Sequence, residues 1–517
     1  MNNNIKILWV DDEIDLLKSQ IYFLKEKGYQ VTEVNNGNDA LEKVQEEDVD
    51  VIFLDENMPG LSGLETLTKI KDINPDIPVV MITKSEEENI MEEAIGNQIS
   101  DYLIKPVKPN QILLTLKKII DNKRLVQERT TSGYQQDFQK IFMAFQSNMD
   151  HQQWADIYKK LVFWELSMDK SKSSQMKEVL NMQKQEANTE FCKFVMRHYT
   201  DWIQGKGDPP VMSHTVFSEK VFPLINNDTP TFLILIDNLR FDQWKVIQPM
   251  VSEFFRLKEE DAFYSILPTS TQYSRNAMFA GMMPLDIEKQ FPKYWRNDED
   301  EGGKNLHEKD FLYDNIARSR KNIKVDYLKI TNFNDGNTFV DNVHNYLNND
   351  LTVIVYNFVD MLSHARTDME VLRELASDET AYRSITYSWF EHSPLFSALK
   401  RIADKNINLI ITTDHGTIKV GTPSKVLGDK NTTTNLRYKT GKNLQYNQKE
   451  VFEVRDPAKA MLPRQHVSSS FIFAKEDEYF VYPNNYNYYV NFYKNTFQHG
   501  GLSLEEVIIP FVVYTSK

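Results

Sequence analysis

The chain has 517 residues, 41% of them hydrophobic, a length that predicts roughly two or three domains with cores of their own. Its one cysteine, Cys192, excludes an internal disulfide and favours a reducing compartment. The net charge of −14 and the pI of about 5.3 argue against a cationic DNA-binding surface. No apolar run approaches the length of a membrane span.

The first 110 residues alternate short apolar runs with amphipathic helical patterns such as Glu13–Lys27. This alternation predicts a doubly wound, five-stranded parallel sheet with polar residues at its carboxyl edge. Three clustered carboxylates there favour Mg²⁺, and a lysine and a threonine hydroxyl suit a phosphoryl group on one carboxylate. The polar residues that follow the apolar runs are Asp11, Asp12, Asp55, Thr83 and Lys105.

The run Leu54–Gly63 resembles the phosphorylation loop of the receiver domain of bacterial response regulators. The resemblance implies that Asp55 is phosphorylated by a sensor histidine kinase and that phosphorylation promotes a homodimer. It also implies further roles: Mg²⁺ ligands at Asp11, Asp12, Asp55 and the carbonyl of Asn57, phosphoryl contacts at Thr83 and Lys105, and an aromatic switch at Tyr102.

The segment from Asn110 to Asp208 contains no proline and repeats apolar residues at helical spacing. It predicts a bundle of about three helices that continues from the last helix of the first domain, with Asp150 and Asp169 at helix N-termini. A packed spacer and a signal-transmitting or dimer-forming rod both remain open. Gly205–Pro210 predicts a domain boundary, so the expected domains are 1–122, 123–206 and 207–517.

The second half places acidic and imidazole side chains after apolar stretches. Thr231–Asp237, Leu351–Asp360 and Ile407–Asp414 are predicted to be buried strands that end in aspartate, the edge where α/β sheets bind ligands. His364 lies four residues after Asp360, so one helical turn can point both at the same ion. His415 follows Asp414, and His499 precedes Leu502–Val513, which predicts a polar segment and an edge strand.

A hydroxyl-rich run, Pro268–Thr271, precedes a predicted helix. Its three hydroxyl side chains, Thr269, Ser270 and Thr271, are candidate nucleophiles. Arg240 and Arg275 can either clamp phosphate oxygens or form structural ion pairs. Three Asp, three His and one hydroxyl are enough to hold two Zn²⁺-like ions. Two such ions promote in-line displacement at phosphorus.

The order of these runs resembles the alkaline phosphatase superfamily, and within it the PglZ-type domain, which implies a C-terminal α/β fold. The resemblance implies one zinc on Asp360, His364 and His499, with Thr271 as the nucleophile between the two ions. It implies a second zinc on Asp237, Asp414 and His415. The Thr271 run is similar to that of phosphodiesterase members, which favours nucleotide diesters, cyclic or linear, over monoesters.

The order of the three regions resembles response regulators linked to type IX secretion in Bacteroidota. The expected function is therefore a phosphorylated regulator with a zinc-dependent phosphodiesterase output. A catalytically silent, zinc-bound scaffold that binds an alternative sigma factor is the other interpretation. Direct DNA binding is disfavoured by the acidic charge. The start at Met1 lacks the features of a signal peptide, so a cytoplasmic location without membrane attachment is expected.

Overall fold

The structure is a computed structural model that describes residues 5–84, 99–171, 174–226, 228–368, 374–376, 378–429, 432–464 and 466–517. Its internal contacts divide the chain into two compact units, Met1–Gly133 and Tyr134–Lys517. The helical region beyond Gly133 therefore shares one unit with the C-terminal α/β fold, and the predicted break at Gly205–Pro210 is a turn inside that unit.

The N-terminal unit is built on a five-stranded sheet of order β2-β1-β3-β4-β5, parallel throughout. Alternate residues of β1 enter two different cores, Leu8 on one face and Trp9 on the other, because successive side chains of a strand point to opposite faces. The described elements are β1 (Lys6–Val10), α1 (Lys18–Glu26), β2 (Gln30–Val34), α2 (Gly37–Glu46), β3 (Val51–Asp55), α3 (Gly63–Ile73), β4 (Val79–Thr83) and β5 (Asp101–Ile104).

Three long helices follow: α4 (Pro109–Phe145), α5 (His151–Ser171) and α6 (Ser174–Ile203). Helix α4 extends well beyond the predicted last receiver helix, so the predicted continuation into the helical region is observed. Asp150 caps α5 by accepting a hydrogen bond from the backbone N–H of Gln153 at 2.8 Å, as predicted. The prediction for Asp169 is wrong, because this residue lies in the last turn of α5.

The C-terminal fold is centred on a six-stranded mixed sheet of order β7-β18-β10-β6-β9-β8. Four strands are parallel to one another: β6 (Thr231–Ile236), β8 (Val325–Ile330), β9 (Leu351–Tyr356) and β10 (Asn408–Thr412). The strand β18 (Ile508–Ser516) pairs antiparallel with β10 on one side and with β7 (Phe255–Tyr264) on the other. The smaller sheets contain β11 (Ile418–Lys419), β12 (Thr422–Lys425), β13 (Tyr438–Lys442), β14 (Val451–Val454), β15 (Ser469–Ala474), β16 (Glu478–Val481) and β17 (Phe497–Gln498).

The remaining helices cover the faces of the sheet or connect its strands. They are α7 (Phe241–Phe254), α8 (Asn276–Ala280), α9 (Pro284–Gln290), α10 (Glu308–Arg318), α11 (Phe333–Asn342), α12 (Phe358–Asp368), α13 (Glu379–His392), α14 (Pro394–Ile402), α15 (Tyr486–Tyr493) and α16 (Leu504–Val507). Two large apolar clusters, one on each face of the central strands, form the core of this unit.

Two sequence predictions are corrected in this sheet. The stretch Leu351–Asp360 is not one strand, because β9 ends at Tyr356 and Asp360 lies in the first turn of α12. The final strand is not an edge strand, because β18 pairs with β10 on one side and with β7 on the other. Its nearly uninterrupted burial fits this interior position. Among the described residues, no helix is both long and apolar enough to cross a bilayer.

Candidate metal centre

Three parallel strands deliver aspartates to one edge of the six-stranded sheet. Asp237 follows β6, Asp414 follows β10 by two residues, and Asp360 follows β9 within α12. Because β6 is flanked by β10 and β9 in parallel register, their carboxyl ends meet at the same edge. Sequence patterns separated by more than 170 residues are therefore brought into one site.

The first ligand group consists of Asp360, His364 and His499, each of which offers one donor atom within 4.8 Å of the others. Asp360 Oδ1 lies 3.5 Å from His364 Nε2 and 3.7 Å from His499 Nε2. The first two residues share a turn of α12, as the spacing predicts. His499 arrives from the turn after β17, so the group closes only in the folded protein.

The second ligand group is formed by Asp237, Asp414 and His415, again within 4.8 Å of one another and all buried. His415 Nε2 lies 3.9 Å from Asp237 Oδ1 and 3.7 Å from Asp414 Oδ2. The rings of His415 and His499 stack with centroids 4.3 Å apart, so the two groups are immediate neighbours. The buried Asp414 Oδ2 accepts no hydrogen bond, which leaves an acceptor suited to a cation.

Thr271 has its hydroxyl directed at the second group. Its Oγ1 lies 3.2 Å from His415 Nε2 and 3.5 Å from Asp237 Oδ1. Thr269 faces elsewhere: its fully buried Oγ1 donates to the carbonyl of Gly501 at 2.8 Å and accepts from the N–H of Gly500 at 3.0 Å. Ser270 has a buried hydroxyl without a hydrogen-bond partner. Of these three hydroxyls, only that of Thr271 contacts residues of the ligand groups.

Both arginines that could have clamped phosphate are engaged in ion pairs with protein carboxylates. Arg275 is fully buried and pairs with Asp237 at 2.8 Å and with Glu308 at 2.7 Å. Arg240 pairs with Asp242 at 2.6 Å and with Glu379 at 2.5 Å. The sequence left open whether these two arginines clamp phosphate or form structural ion pairs, and the structure shows both in ion pairs.

Burial sets the protonation of the site. It raises the pKa of Asp237 to about 6, although the guanidinium of Arg275 opposes the shift. Burial also raises the pKa of Asp360 and, together with His415 and His364, holds the pKa of His499 well below its usual range. Zn²⁺ binds neutral imidazole nitrogens and carboxylate oxygens. Burial favours a neutral imidazole here and disfavours carboxylate anions that have no cation beside them.

The predicted phosphorylation residues meet at the carboxyl edge of the N-terminal sheet. Asp11, Asp12 and Asp55 offer carboxylate oxygens within 4.8 Å of one another. Lys105 Nζ lies 2.9 Å from Asp11 and 2.7 Å from Asp55. Burial raises the pKa of Asp55, while the hydrogen bond from Lys105 lowers it.

The other predicted residues of this site differ in exposure. Thr83 ends β4 and is buried, whereas Asn57 lies exposed in the loop after β3. Tyr102 is 42% exposed, so its ring is directed outward in this structure. The structure thus brings Asp11, Asp12, Asp55 and Lys105 together, while the roles of these residues and of Thr83, Asn57 and Tyr102 stay predictions.

Sequence comparisons divide the chain in the same order. A model described as the BREX system PglZ alkaline phosphatase-like domain matches residues 216–514 and thus more than half of the chain. The chain belongs to the PglZ family. Within this PglZ-family chain, a PorX response regulator linker domain matches residues 124–203 and a response regulator receiver domain matches residues 7–117. The protein has the architecture of PorX-type response regulators.

Curated response regulators match about a quarter of this chain. The transcriptional regulatory protein ZraR of Klebsiella oxytoca is 38% identical over 127 residues, which cover 25% of this chain and 29% of ZraR. ResD of Bacillus subtilis is 32% identical over 118 residues, 23% of this chain and 49% of ResD. The matched region spans less than half of either relative. A CheY-like receiver from Methanospirillum hungatei is 26% identical, covers 23% of this chain and 96% of its own, and gives a TM-score of 0.23.

The PglZ-family site also contains residues that the sequence did not single out. Asn238 has a positive φ of 65°, and its side-chain amide approaches Asp360 Oδ1 at 3.4 Å. Glu308 anchors Arg275 and comes from α10, 33 residues later in the chain. Asn238 directly follows Asp237, but its contact with Asp360, like that of Glu308 with Arg275, depends on which segments pack together.

Helix α6 of the helical region forms hydrogen bonds with the segment that follows His499. Asn188 on α6 donates to Glu505 Oε2 at 3.0 Å and accepts from the N–H of Leu504 at 2.7 Å. The Glu505 backbone also approaches Gly416 so closely that a Cβ there would lie 2.0 Å from the Glu505 carbonyl oxygen. This short segment therefore contacts the Asp-His-Gly turn on one side and α6 on the other.

Proposed function

We propose that this PorX-type protein is a response regulator whose PglZ domain is a zinc-dependent phosphodiesterase acting on nucleotide phosphodiesters. The observation that carries the proposal is the position of Thr271, whose hydroxyl lies against one of two adjacent triads of carboxylate and imidazole donors. A hydroxyl beside paired metal ligands is the arrangement for nucleophilic displacement at phosphorus.

The donor sets fit zinc in number and type. Asp360, His364 and His499 would hold one ion, and Asp237, Asp414 and His415 the other. When bound, zinc supplies Lewis-acid stabilisation of charge on oxygen and favours the ionised form of a hydroxyl.

Thr271 is the nucleophile in the proposed reaction. Its Oγ forms a bond to phosphorus, the ester P–O bond on the opposite side breaks, and the alcohol leaves after taking a proton from solvent. The hydroxyl proton of Thr271 passes to solvent. Water then attacks phosphorus and breaks the bond to Oγ, which releases the phosphate product and restores the threonine.

The preference for diesters is supported by charge. A phosphate monoester brings one more negative charge than a diester, and a guanidinium is the side chain that best clamps the extra oxygen. Arg240 and Arg275 are both buried in ion pairs with carboxylates. A diester needs no such clamp, and a nucleotide diester fits the resemblance of the Thr271 run.

The receiver supplies the proposed input. Asp55 accepts the phosphoryl group from a sensor histidine kinase, Mg²⁺ is held by Asp11, Asp12, Asp55 and the Asn57 carbonyl, and Lys105 already contacts the acceptor carboxylate. The PorX-type architecture supports a role for this switch in regulating type IX secretion, in the cytoplasm.

Zinc analysis and hydrolysis on matched substrates test the function. We expect close to two zinc ions per chain, loss of at least one in His364→Ala and in Asp414→Ala, and faster turnover of methyl p-nitrophenyl phosphate than of p-nitrophenyl phosphate. His344→Ala, an exposed histidine outside both groups, is the control. A full zinc complement in both ligand variants, or no diester turnover by the zinc-loaded protein, contradicts the proposal.

A further inference from the structure

A concave apolar surface lies beside the candidate metal centre, at the carboxyl ends of β8 and β9. It encloses about 330 Å³, which is at the small end of the range of roughly 300–1,000 Å³ for ligand pockets. We call it the aromatic pocket, and its aromatic and apolar lining is Phe333, Tyr356, Phe358, Met361, Trp389 and Pro394.

Two rings in the aromatic pocket are stacked. Phe358 and Trp389 have centroids 4.3 Å apart and planes within 2° of each other. Tyr356 packs at an angle against Trp389 with a centroid distance of 5.6 Å. Phe333 is 65% exposed and Met361 52% exposed, so large apolar side chains remain in water at this concavity. An exposed apolar concavity of this kind marks a binding site more often than a random surface does.

The aromatic pocket and the first ligand group share a helix. Phe358, Asp360 and Met361 all lie in the first turn of α12. Because a helix rises by only about 1.5 Å per residue, the three residues are close together along its axis. One side of this turn carries the carboxylate and imidazole of the ligand group, and Phe358 and Met361 line the pocket. The aromatic pocket and the first ligand group therefore lie on one turn of α12, at the same edge of the sheet.

Two polar side chains of the pocket are already used as helix caps. The side chain of Asn332 caps α11 by accepting from the N–H of Asp335, and Ser393 caps α14 by accepting from the N–H of Phe396. The Ser393 hydroxyl also donates to the carbonyl of Phe390. Aromatic faces therefore form a large part of what the pocket presents to a ligand.

We infer that the aromatic pocket binds the base of the nucleotide whose phosphodiester is cleaved at Thr271; this inference rests on the proposed function. Every nucleobase has a flat π face that stacks on aromatic side chains, and such stacking tolerates any base.

The experiment compares two diesters with the same leaving group. The p-nitrophenyl ester of thymidine 5′-phosphate carries a base, and methyl p-nitrophenyl phosphate does not. Phe333→Ala and Met361→Ala change exposed side chains, and Trp389→Ala removes the stacked ring, which Trp389→Phe partly restores. We expect kcat/KM for the nucleoside ester to fall by about tenfold in the alanine variants, the scale of one lost base–aromatic stack, and that for the methyl ester to stay constant.

Phe163→Ala is the matched control, because Phe163 is 56% exposed on α5 and does not line the pocket. Equal effects on both esters, or no effect on either, overturn the inference while leaving the phosphodiesterase intact. If wild-type protein cleaves neither ester, the proposed function fails, and the pocket is tested by calorimetric titration with thymidine 5′-phosphate. Equal affinity of wild type and Phe333→Ala in that titration overturns the pocket as a base site.

Discussion

At the residue scale, the site depends on which of three neighbouring hydroxyls faces the ligand groups. Thr269, Ser270 and Thr271 are consecutive, and composition does not separate them. The structure gives Thr269 a fixed role, since its hydroxyl ties the Pro268–Thr271 run to the Gly500–Gly501 turn. Thr271 is left as the hydroxyl beside His415 and Asp237.

This arrangement predicts different results for two matched variants. Thr271→Val should keep its zinc and its melting temperature but lose diesterase turnover by several orders of magnitude, because the nucleophile is gone. Thr269→Val should instead lower the melting temperature, because it leaves the Gly501 carbonyl without its donor and the Gly500 N–H without its acceptor. Calorimetry, metal analysis and kinetics on both proteins check this, and retained turnover in Thr271→Val contradicts it.

A second residue-scale prediction concerns Asp55. Asp55→Ala should abolish labelling by acetyl phosphate with Mg²⁺, because the other two carboxylates of the group are expected to hold the ion and not the phosphoryl group. Asp50→Ala, a carboxylate outside the group, should label as wild type does. Undiminished labelling of the Asp55 variant, measured by intact mass, places the acceptor elsewhere.

At the scale of elements, the helical region is part of the PglZ unit. Helices α5 and α6 carry Glu165, Asp169 and Lys184, and Arg383 on α13 pairs with Glu165 at 2.9 Å and with Asp242 at 2.8 Å. Lys184 pairs with Glu165 at 2.6 Å. These buried pairs connect α5 and α6 to α7, which begins four residues after the ligand Asp237. The sequence left open whether this region is a packed spacer or a rod. The structure shows that α5 and α6 pack against the C-terminal α/β fold.

The element most directly linked to a ligand loop is α6, through Asn188. Asn188→Ala should lower the free energy of unfolding by about 2 kcal/mol, because it leaves buried groups of Leu504 and Glu505 without their partner. It should also weaken zinc binding, since the same segment follows His499. Chelator competition and thermal unfolding of loaded and metal-stripped protein measure the two effects.

Lys193→Ala on the same helix is the control, because its pair with Glu190 is exposed and such pairs contribute little. Wild-type zinc affinity in a destabilised Asn188→Ala protein would show that this contact supports the fold without positioning the ligand loop.

At the scale of the whole molecule, α4 runs without a break from Pro109 through Gly133 to Phe145. Phosphorylation of receivers remodels the face formed by the segment after the fourth strand, the fifth strand and the following helix. Residues 85–98 of that face lie outside the described residues. A shift from mostly monomer to mostly dimer needs a differential contact energy of only about 5 kcal/mol.

We therefore expect beryllofluoride with Mg²⁺ to raise the dimer fraction in sedimentation and to change diester turnover with it. A Gly-Ser insertion at Gly133 should interrupt the helix and uncouple turnover from the switch while dimerisation persists. The same insertion in the exposed loop at Gly302 is the control. An unchanged monomer–dimer balance with beryllofluoride would show that dimerisation does not carry the signal.

The sequence by itself determined the features that local patterns encode. Continuous apolar runs predicted the strands of the receiver, and period-3.6 apolar spacing predicted the helices. Asp360 and His364 could be paired because one helical turn brings them together. The family resemblance implied the six candidate ligand residues, and the structure brings them together in two groups of three.

Only the tertiary structure decided what depends on distant segments. The engagement of Arg275 with Asp237 and Glu308, the separation of Thr269 from Thr271, and the interior position of β18 all follow from packing between parts of the chain that no local spacing connects. The same holds for Asn188, whose partner is 317 residues away. Local periodicity determines which face of a helix or strand is apolar. Packing between distant segments determines which other element covers that face, and therefore which partner each buried polar group finds.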